Sequence, residues 1–175
     1  MRKAVKHAEI YCLLIKDYEP DGHQNAEARS HQNVGMLYEI LGEYKQALAH
    51  YETYLKISKK RADKTNIAQA YGCLGSVYAH LGNEQLALTY HNQHVSMATS
   101  LGNEKILATA YELLGDTQSL LCQWEGAVDS YMEMFSSCPR NDIRLQTTAL
   151  CKLGKAYMKQ NRLQYSLYYF EQVRF

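Results

Sequence analysis

Hydrophobic residues recur along this chain with a helical period, and the pattern predicts helices over nearly its whole length. Within residues 2–18, Val5, Ala8, Tyr11, Cys12 and Ile15 fall on one stripe of a helix. Further helices are predicted at 26–41, 43–60, 64–81, 84–101, 104–121, 124–137, 141–159 and 163–175. Since no segment has a convincing strand pattern, the expected fold is all-α with about nine helices.

The breaks between these helices carry turn and capping residues. Residues 19–22 (Glu-Pro-Asp-Gly) stop the first helix, because proline lacks the amide hydrogen and glycine permits a positive φ. Thr65 or Asn66 is predicted to cap the helix that ends at 81. Gly102 and Asn103 are predicted to end one helix and cap the next.

One stretch recurs at a nearly constant spacing. Leu74-Gly75 matches Val34-Gly35 forty residues upstream, Leu114-Gly115 forty residues downstream and Leu153-Gly154 thirty-nine further on. A fixed period of this length is typical of repeat architectures. Glycine inside a helix costs about 1 kcal/mol relative to alanine. Four such glycines at one phase (Gly35, Gly75, Gly115 and Gly154) therefore predict a close approach by a partner helix.

Two more positions repeat with the glycine. A small residue follows it by twelve positions and marks the expected helix crossing, in Ala47, Ala87, Ala127 and Ser166. An aromatic or imidazole ring follows it by sixteen positions, in Tyr51, His91, Tyr131 and Phe170. Small and large side chains that alternate in this way predict helices that interlock at native packing density.

The segment from Tyr71 to Tyr78, with Gly82, Ala87 and His91, resembles a tetratricopeptide (TPR) repeat. The leading aromatic of that pattern is present in Tyr71 and Tyr111, whereas His31 and Leu150 depart from it. The resemblance implies a right-handed α-solenoid of antiparallel helix pairs, a single array over 1–175. The implied units are 2–18 (partial), 26–60, 64–101, 104–137 and 141–175, the last one truncated if the array continues.

The forty-residue period is longer than the ~34 residues of the common TPR unit. It resembles the variant found in partner-of-Inscuteable-type, rapsyn-like and tonsoku-like scaffold proteins.

In the family that the chain resembles, the first helix of each pair lines a concave groove that binds a peptide or helix of a partner protein. The resemblance implies a non-enzymatic adaptor or scaffold with this kind of groove. The implied wall consists of Arg29, Gln32, Asn33, Met36 and Ile40; Gln69, Gly72, Cys73, Ser76 and His80; Thr109, Glu112, Leu113, Asp116 and Leu120; and Thr148, Cys151, Lys152, Lys155 and Lys159. The alternative is a solvated or neighbour-covered wall in a structural or self-associating segment of a larger scaffold, without a groove ligand.

The charges on this wall change along the chain. TPR clamps for acidic chaperone tails need a ladder of lysine and asparagine, and here Asn33 and the lysine cluster Lys152, Lys155 and Lys159 lie in the first and last units. Glu112 and Asp116 lie between them, so no such clamp is expected. A longer peptide is predicted to place its acidic end at the fourth unit and its basic or polar end near the third.

Composition excludes several other classes of function. With 19 basic and 18 acidic residues the net charge is +1, which argues against a nucleic-acid or anionic membrane partner. No phosphate-binding or nucleophile motif is present, so no enzymatic activity and no cofactor are predicted. His91 and His94 are spaced to reach one metal ion, but His91 takes the place of a core aromatic, so packing is predicted and no metal.

The cysteines and the ends of the sequence complete the expectations. Five cysteines without CxxC spacing indicate a reducing, cytoplasmic setting in which free thiols pack as small hydrophobes.

No stretch approaches the ~18 apolar residues of a membrane span, so membrane insertion is not expected. Phe170, Val173 and Phe175 would leave an apolar patch uncovered, which predicts either a fragment of a longer array or end-to-end self-association.

Overall fold

The computed structural model describes residues 5–7, 9–10, 14 and 24–173, and its regular structure is α-helical. Eight helices have defined bounds: α1 (Gln24–Ile40), α2 (Tyr44–Lys60), α3 (Lys64–His80), α4 (Glu84–Leu101), α5 (Glu104–Leu120), α6 (Trp124–Ser137), α7 (Ile143–Lys159) and α8 (Leu163–Gln172). The described residues before position 15 are also helical. They lie inside the predicted helix 2–18, whose bounds, with the turn at 19–22, fall outside the described residues. Among the described residues the all-α prediction is confirmed, with eight helices of defined bounds and further helical residues before position 15.

The chain divides into two compact units, residues 1–83 and 84–175. In the first unit, α1 packs on α2 and α2 packs on α3. In the second unit each helix from α4 to α8 packs on the next, and α5 also lies beside α7. Because short turns join these neighbours, successive helices within a unit are antiparallel. The single array over 1–175 stays a prediction.

Most helices end in the same hydrogen-bonded motif. After α1, Gly42 adopts a φ of +75°, and the Glu43 amide donates to the Tyr38 carbonyl at 2.9 Å. This is the Schellman arrangement, in which a left-handed residue lets the chain satisfy the last carbonyls of the helix. The left-handed residue is not always glycine, since the same position holds Ala62, Cys122 and Asn161 in other turns.

The N-terminal caps of two helices correct one prediction and confirm another. The cap of α3 is Asp63, whose Oδ1 accepts from the Asn66 amide at 3.0 Å. The prediction of Thr65 or Asn66 as the cap is therefore wrong, and Asn66 instead donates its side-chain amide to Asp63. Asn103 caps α5 as predicted, by accepting from the Ile106 amide at 3.1 Å.

Three of the four repeated glycines lie against aromatic rings. A Cβ built on Gly35 would come within 2.6 Å of the Tyr51 ring, and the same relation joins Gly115 to Tyr131 and Gly154 to Phe170. The predicted close approach is therefore made by the ring sixteen residues later, not by the backbone at the small residue. The small residues Ala47, Ala87, Ala127 and Ser166 are themselves buried.

Each unit encloses its own core. In the second unit the core lies among α5 to α8 and includes Val128, Met134 and Leu153. In the first unit, Ala28 of α1, Tyr54 of α2 and Ala70 of α3 meet. These cores hold α1 beside α3 in the first unit and α5 beside α7 in the second unit. Each of these four helices is the first helix of a repeat.

Candidate functional site

The surface of interest is the side of each unit on which the first helices of neighbouring pairs lie together. We call it the first-helix face. In the first unit it is formed by α1 and α3, and in the second unit by α5 and α7. All of the sequence-predicted wall residues lie on these four helices.

Side-chain hydrogen bonds join α1 to α3 in the first unit. The Gln32 amide lies 3.5 Å from the Gln69 side-chain oxygen. The Tyr54 hydroxyl, which comes from α2, donates to the same oxygen at 3.2 Å. Gln32 and Gln69 therefore lie together, and their side chains take part in hydrogen bonds within the fold.

Tyr51 places a hydroxyl at the first-helix face of the first unit. Its ring lies against Gly35, and its hydroxyl donates to Glu39 Oε2 at 2.8 Å. Burial, together with Cys73 and Glu39, raises the pKa of Tyr51 well above its ordinary value. The phenol is thus a permanent donor that links α2 to α1.

Cys73, predicted as a wall residue, is half-buried and its thiol lies beside Tyr51. Burial and the nearby Glu39 carboxylate raise the pKa of Cys73 to about 12, although its hydrogen bond with Tyr51 works in the opposite direction. The thiol is therefore protonated near neutral pH and is not an activated nucleophile. Its role at this position is packing.

Two apolar residues stand among the exposed residues of the first unit's face. Met36 and Ile40, one turn apart on α1, are 49% and 59% exposed. Arg29 and Asn33 continue the exposed stripe toward the start of α1. On α3, His80 is exposed and stacks on Tyr44 with 4.8 Å between the ring centroids, while its Nδ1 donates to the Ser76 carbonyl at 2.8 Å.

A charged network occupies the first-helix face of the second unit. Lys152 Nζ lies 2.6 Å from both carboxylate oxygens of Asp116 and 3.2 Å from Glu112 Oε1. The Tyr131 hydroxyl donates to Asp116 Oδ1 at 2.8 Å, and the ammonium also lies over the Tyr131 ring, 5.7 Å from its centroid. Two carboxylates around one ammonium leave this network with one net negative charge.

This network changes the picture of charge along the wall. The sequence groups Lys152 with Lys155 and Lys159, but Lys152 is ion-paired across to α5, whereas Lys155 and Lys159 are exposed. Leu113 is half-buried, and Leu120 is one of the most exposed apolar residues. Two cations, and not three, are therefore presented to solvent on this part of α7.

Sequence reasoning placed Tyr51 and Tyr131 in the core and missed their hydroxyls at the face. Both side chains come from second helices, which the family pattern assigns to the opposite side. The signal was present in the repeat comparison, because Phe170 stands at the same position without a hydroxyl. A buried tyrosine where a phenylalanine suffices indicates a polar partner at the end of the ring.

His91 and His94 are buried, as the packing prediction requires, with only 1% and 3% of their surfaces exposed. Burial lowers the pKa of each histidine to about 4, so both are neutral near pH 7. Within the part of the chain that the structure describes, no group of three or more His, Cys, Asp or Glu side chains is arranged to hold a metal ion. Among the same residues, no helix is long and apolar enough to cross a membrane.

The thiols of the described residues are free. Cys138 is buried and donates to the Met134 carbonyl at 3.1 Å, which fits the prediction of a small hydrophobe. Cys122 does not fit that prediction. It is exposed in the turn between α5 and α6, where it takes the left-handed position with a φ of +56°.

Family models identify the chain. Tetratricopeptide repeat models match residues 66–136 and 28–61, which together make up more than half of the sequence. The chain belongs to the tetratricopeptide repeat family. Repeats of this family serve in general as scaffolds for protein–protein interaction. No curated protein sequence matches the chain significantly, and the forty-residue subtype stays a prediction.

Solved structures share this fold at low sequence identity. BtubC (BKLC) from P. vanneervenii is 16% identical over 99% of this chain and 71% of its own, with a TM-score of 0.88. The TPR-like repeats of a putative kinesin light chain from Podosopora anserina are 17% identical over 99% and 85%, with a TM-score of 0.80. The apo form of RapI is 14% identical over 98% and 62%, with a TM-score of 0.87. At these identities the likeness concerns the fold alone.

Proposed function

We propose that this chain is a non-catalytic adaptor that binds a peptide or helix segment of a partner protein along its first-helix face. The observation that carries the proposal is the pair Met36 and Ile40. Both side chains are about half exposed on a well-packed helix, and apolar side chains exposed together are typical of interaction surfaces. Free thiols in the described residues fit a reducing, cytoplasmic setting for such an adaptor.

The two units offer a partner different chemistry. The first presents the apolar side chains of Met36 and Ile40, one turn apart on α1, which suit apolar side chains of a partner spaced one helical turn apart. It also presents the ring of His80, which stacks on Tyr44. The second presents a net negative network at Glu112 and Asp116, followed by the exposed cations of α7. We propose that acidic residues of the segment contact Lys155 and Lys159, and that a basic or polar residue lies near Asp116. A chaperone-tail clamp is not proposed, since Lys152 is already paired.

The test begins with a phage-displayed peptide library selected on the intact chain. The affinity of an enriched peptide is then measured by fluorescence anisotropy against Met36→Ser with Ile40→Ser. We expect a loss of roughly tenfold or more, the size typical of truncated interface anchors. Leu167→Ser is the matched control, because Leu167 on α8 is 60% exposed but lies outside the first-helix face. If selection enriches no peptide, or if the enriched peptides ignore the paired substitution, the adaptor proposal fails.

The charge assignment needs its own variants. Lys155→Glu with Lys159→Glu is expected to weaken an acidic peptide, whereas Lys56→Glu with Lys60→Glu is not. The control pair has the same spacing and is also exposed, but it lies on the second helix α2. Equal weakening by both pairs would point to a non-specific charge effect. Lys152 is unsuitable for this test, because its replacement also breaks the α5–α7 ion pairs.

A second candidate function is self-association without a groove ligand. It is favoured by α8, which exposes Leu163, Tyr165, Leu167 and Tyr168. Tyr168 and Tyr169 also border an apolar cavity of about 530 Å³, together with Met132, Phe135 and Leu150. Sedimentation equilibrium over a concentration series distinguishes the candidates. Self-association predicts dimers that Leu167→Ser abolishes, and a strict monomer at high concentration argues against it.

A further inference from the structure

Two histidines of the first unit face each other between α1 and α2. His31 Nδ1 and His50 Nδ1 are 3.0 Å apart, with the ring centroids 5.2 Å apart and the ring planes tilted by 38°. At this distance a single hydrogen lies between the two nitrogens, so one ring donates it and the other accepts it through a lone pair. Both rings are half-buried and neither belongs to the proposed peptide-binding face.

The repeat comparison sets this pair apart from the equivalent positions. His31 stands four residues before the repeat glycine, where the later repeats carry Tyr71, Tyr111 and Leu150. His50 stands fifteen residues after the glycine, where they carry Tyr90, Ser130 and Tyr169. Only the first repeat places an imidazole at both positions. The fold therefore does not require histidine at either one.

We propose that His31 and His50 form a two-imidazole site for a divalent transition metal of the copper(II) or nickel(II) type. With metal–nitrogen bonds of about 2.0–2.1 Å, nitrogens 3.0 Å apart subtend about 94° at the metal. That angle is close to the right angle between neighbouring ligands in square-planar and octahedral sites, which copper(II) and nickel(II) favour. A tetrahedral zinc site would need the nitrogens about 3.4 Å apart.

Metal binding at this pair releases no proton and takes none up. The hydrogen shared by the two Nδ1 atoms moves to Nε2 of the ring that carries it, and a rotation of each ring aims both Nδ1 lone pairs at the metal. Water completes the coordination shell, because the described residues contain no metal-holding group of three or more ligands.

Neighbouring side chains orient one of the two rings. Tyr38 stacks on His50 with 5.6 Å between centroids and 27° between planes. The Tyr38 hydroxyl in turn donates to Glu9. These contacts set the orientation of the His50 ring in the metal-free chain.

The experiment titrates copper(II) chloride and nickel(II) chloride into the intact chain near pH 7, followed by calorimetry. The variants His31→Tyr and His50→Tyr install residues that already stand at these positions in other repeats, and His80→Tyr removes an exposed imidazole outside the pair. We expect either pair variant to weaken the tightest site roughly tenfold or more and His80→Tyr to leave it unchanged. Electron paramagnetic resonance of the copper-loaded chain is expected to show two equatorial nitrogens, and one in either pair variant.

A measurement on the unaltered chain tests the proposal even if the variants fail to fold. Substoichiometric copper(II) is expected to broaden the imidazole NMR signals of His31 and His50 before those of the other histidines. The proposal is overturned if other histidine signals broaden first, or if folded pair variants bind both metals as tightly as the unaltered chain.

Discussion

The ammonium group of Lys152 lies 2.6 Å from both carboxylate oxygens of Asp116, and this contact fastens α7 to α5. The same ammonium reaches Glu112 at 3.2 Å. Lys152 and Glu112 are mostly buried at this point, whereas the Asp116 side chain is 44% exposed. The ion pairs are therefore shielded from solvent more than a surface pair is, but less than a fully buried one.

Lys152→Met keeps most of the side-chain stem and leaves two carboxylates without their counter-charge. We expect the free energy of unfolding to fall by about 1–2 kcal/mol, measured by urea titration. Lys155→Met, three residues further along α7 and exposed, should change it by less than about 0.5 kcal/mol. Equal losses in the two variants would show that the network contributes nothing specific.

The contact between Gly35 and the Tyr51 ring predicts that Gly35→Ala changes stability in opposite directions when the ring is present and when it is absent. Gly35→Ala places a Cβ about 2.6 Å from the ring and should destabilise the chain by about 1–3 kcal/mol. When Tyr51→Ala has removed the ring, the same substitution should stabilise by up to about 1 kcal/mol, because alanine is the better helix former. Thermal unfolding of the four members of this cycle measures both effects. A destabilising Gly35→Ala in the Tyr51→Ala background would mean that another group occupies the space.

Much of the fold could be predicted because the helical period and the glycine spacing are local properties of the sequence. The helix bounds follow from them, as Lys60, Leu101 and Lys159 show by ending their helices where the pattern indicates. The cap of α3 was missed because Asp63 lies among charged residues (Lys59, Lys60, Arg61 and Lys64) whose pattern is typical of a solvated helix end. Only the backbone conformation of the turn decides which of Asp63, Thr65 and Asn66 is the cap.

The candidate site was less predictable, because it depends on which side chains meet between helices. Positions on α1, α3, α5 and α7 could be assigned to one face by counting from the glycine. To predict that Lys152 pairs with Asp116, one also needs the distance between α5 and α7, which cannot be read from the sequence. The hydroxyls of Tyr51 and Tyr131 were missed for the same reason, since each crosses from a second helix to the opposite face.

The turn after α2 offers a simple stabilising substitution. Ala62 adopts a φ of +54°, a left-handed conformation that costs a residue with a Cβ about 1–2 kcal/mol. Ala62→Gly should therefore raise the free energy of unfolding by roughly 0.5–1 kcal/mol, the remainder being lost to the greater freedom of glycine in the unfolded chain. Gly42→Ala, at the equivalent turn with a φ of +75°, should lower it by a similar amount. Shifts of the same sign for the two variants, measured by chemical unfolding, would contradict the conformational argument.

The buried histidines of α4 predict a dependence of stability on pH. Since burial lowers the pKa of His91 and His94 to about 4, the unfolded chain binds more protons than the folded chain between about pH 4 and pH 6.5. Stability should be complete above about pH 6.5 and should fall as the pH decreases toward 4, by up to about 3 kcal/mol for each histidine. Chemical unfolding across this range measures the slope.

His91→Phe isolates one histidine's share of that slope, because Phe170 holds the equivalent position in the last repeat. The variant should lose less stability between pH 6.5 and pH 4 than the unaltered chain does, while His80→Phe, which removes an exposed imidazole, should leave the slope as it is. If the two substitutions flatten the profile equally, the acid sensitivity arises from groups other than the buried pair. If neither flattens it, the prediction for the buried histidines is wrong.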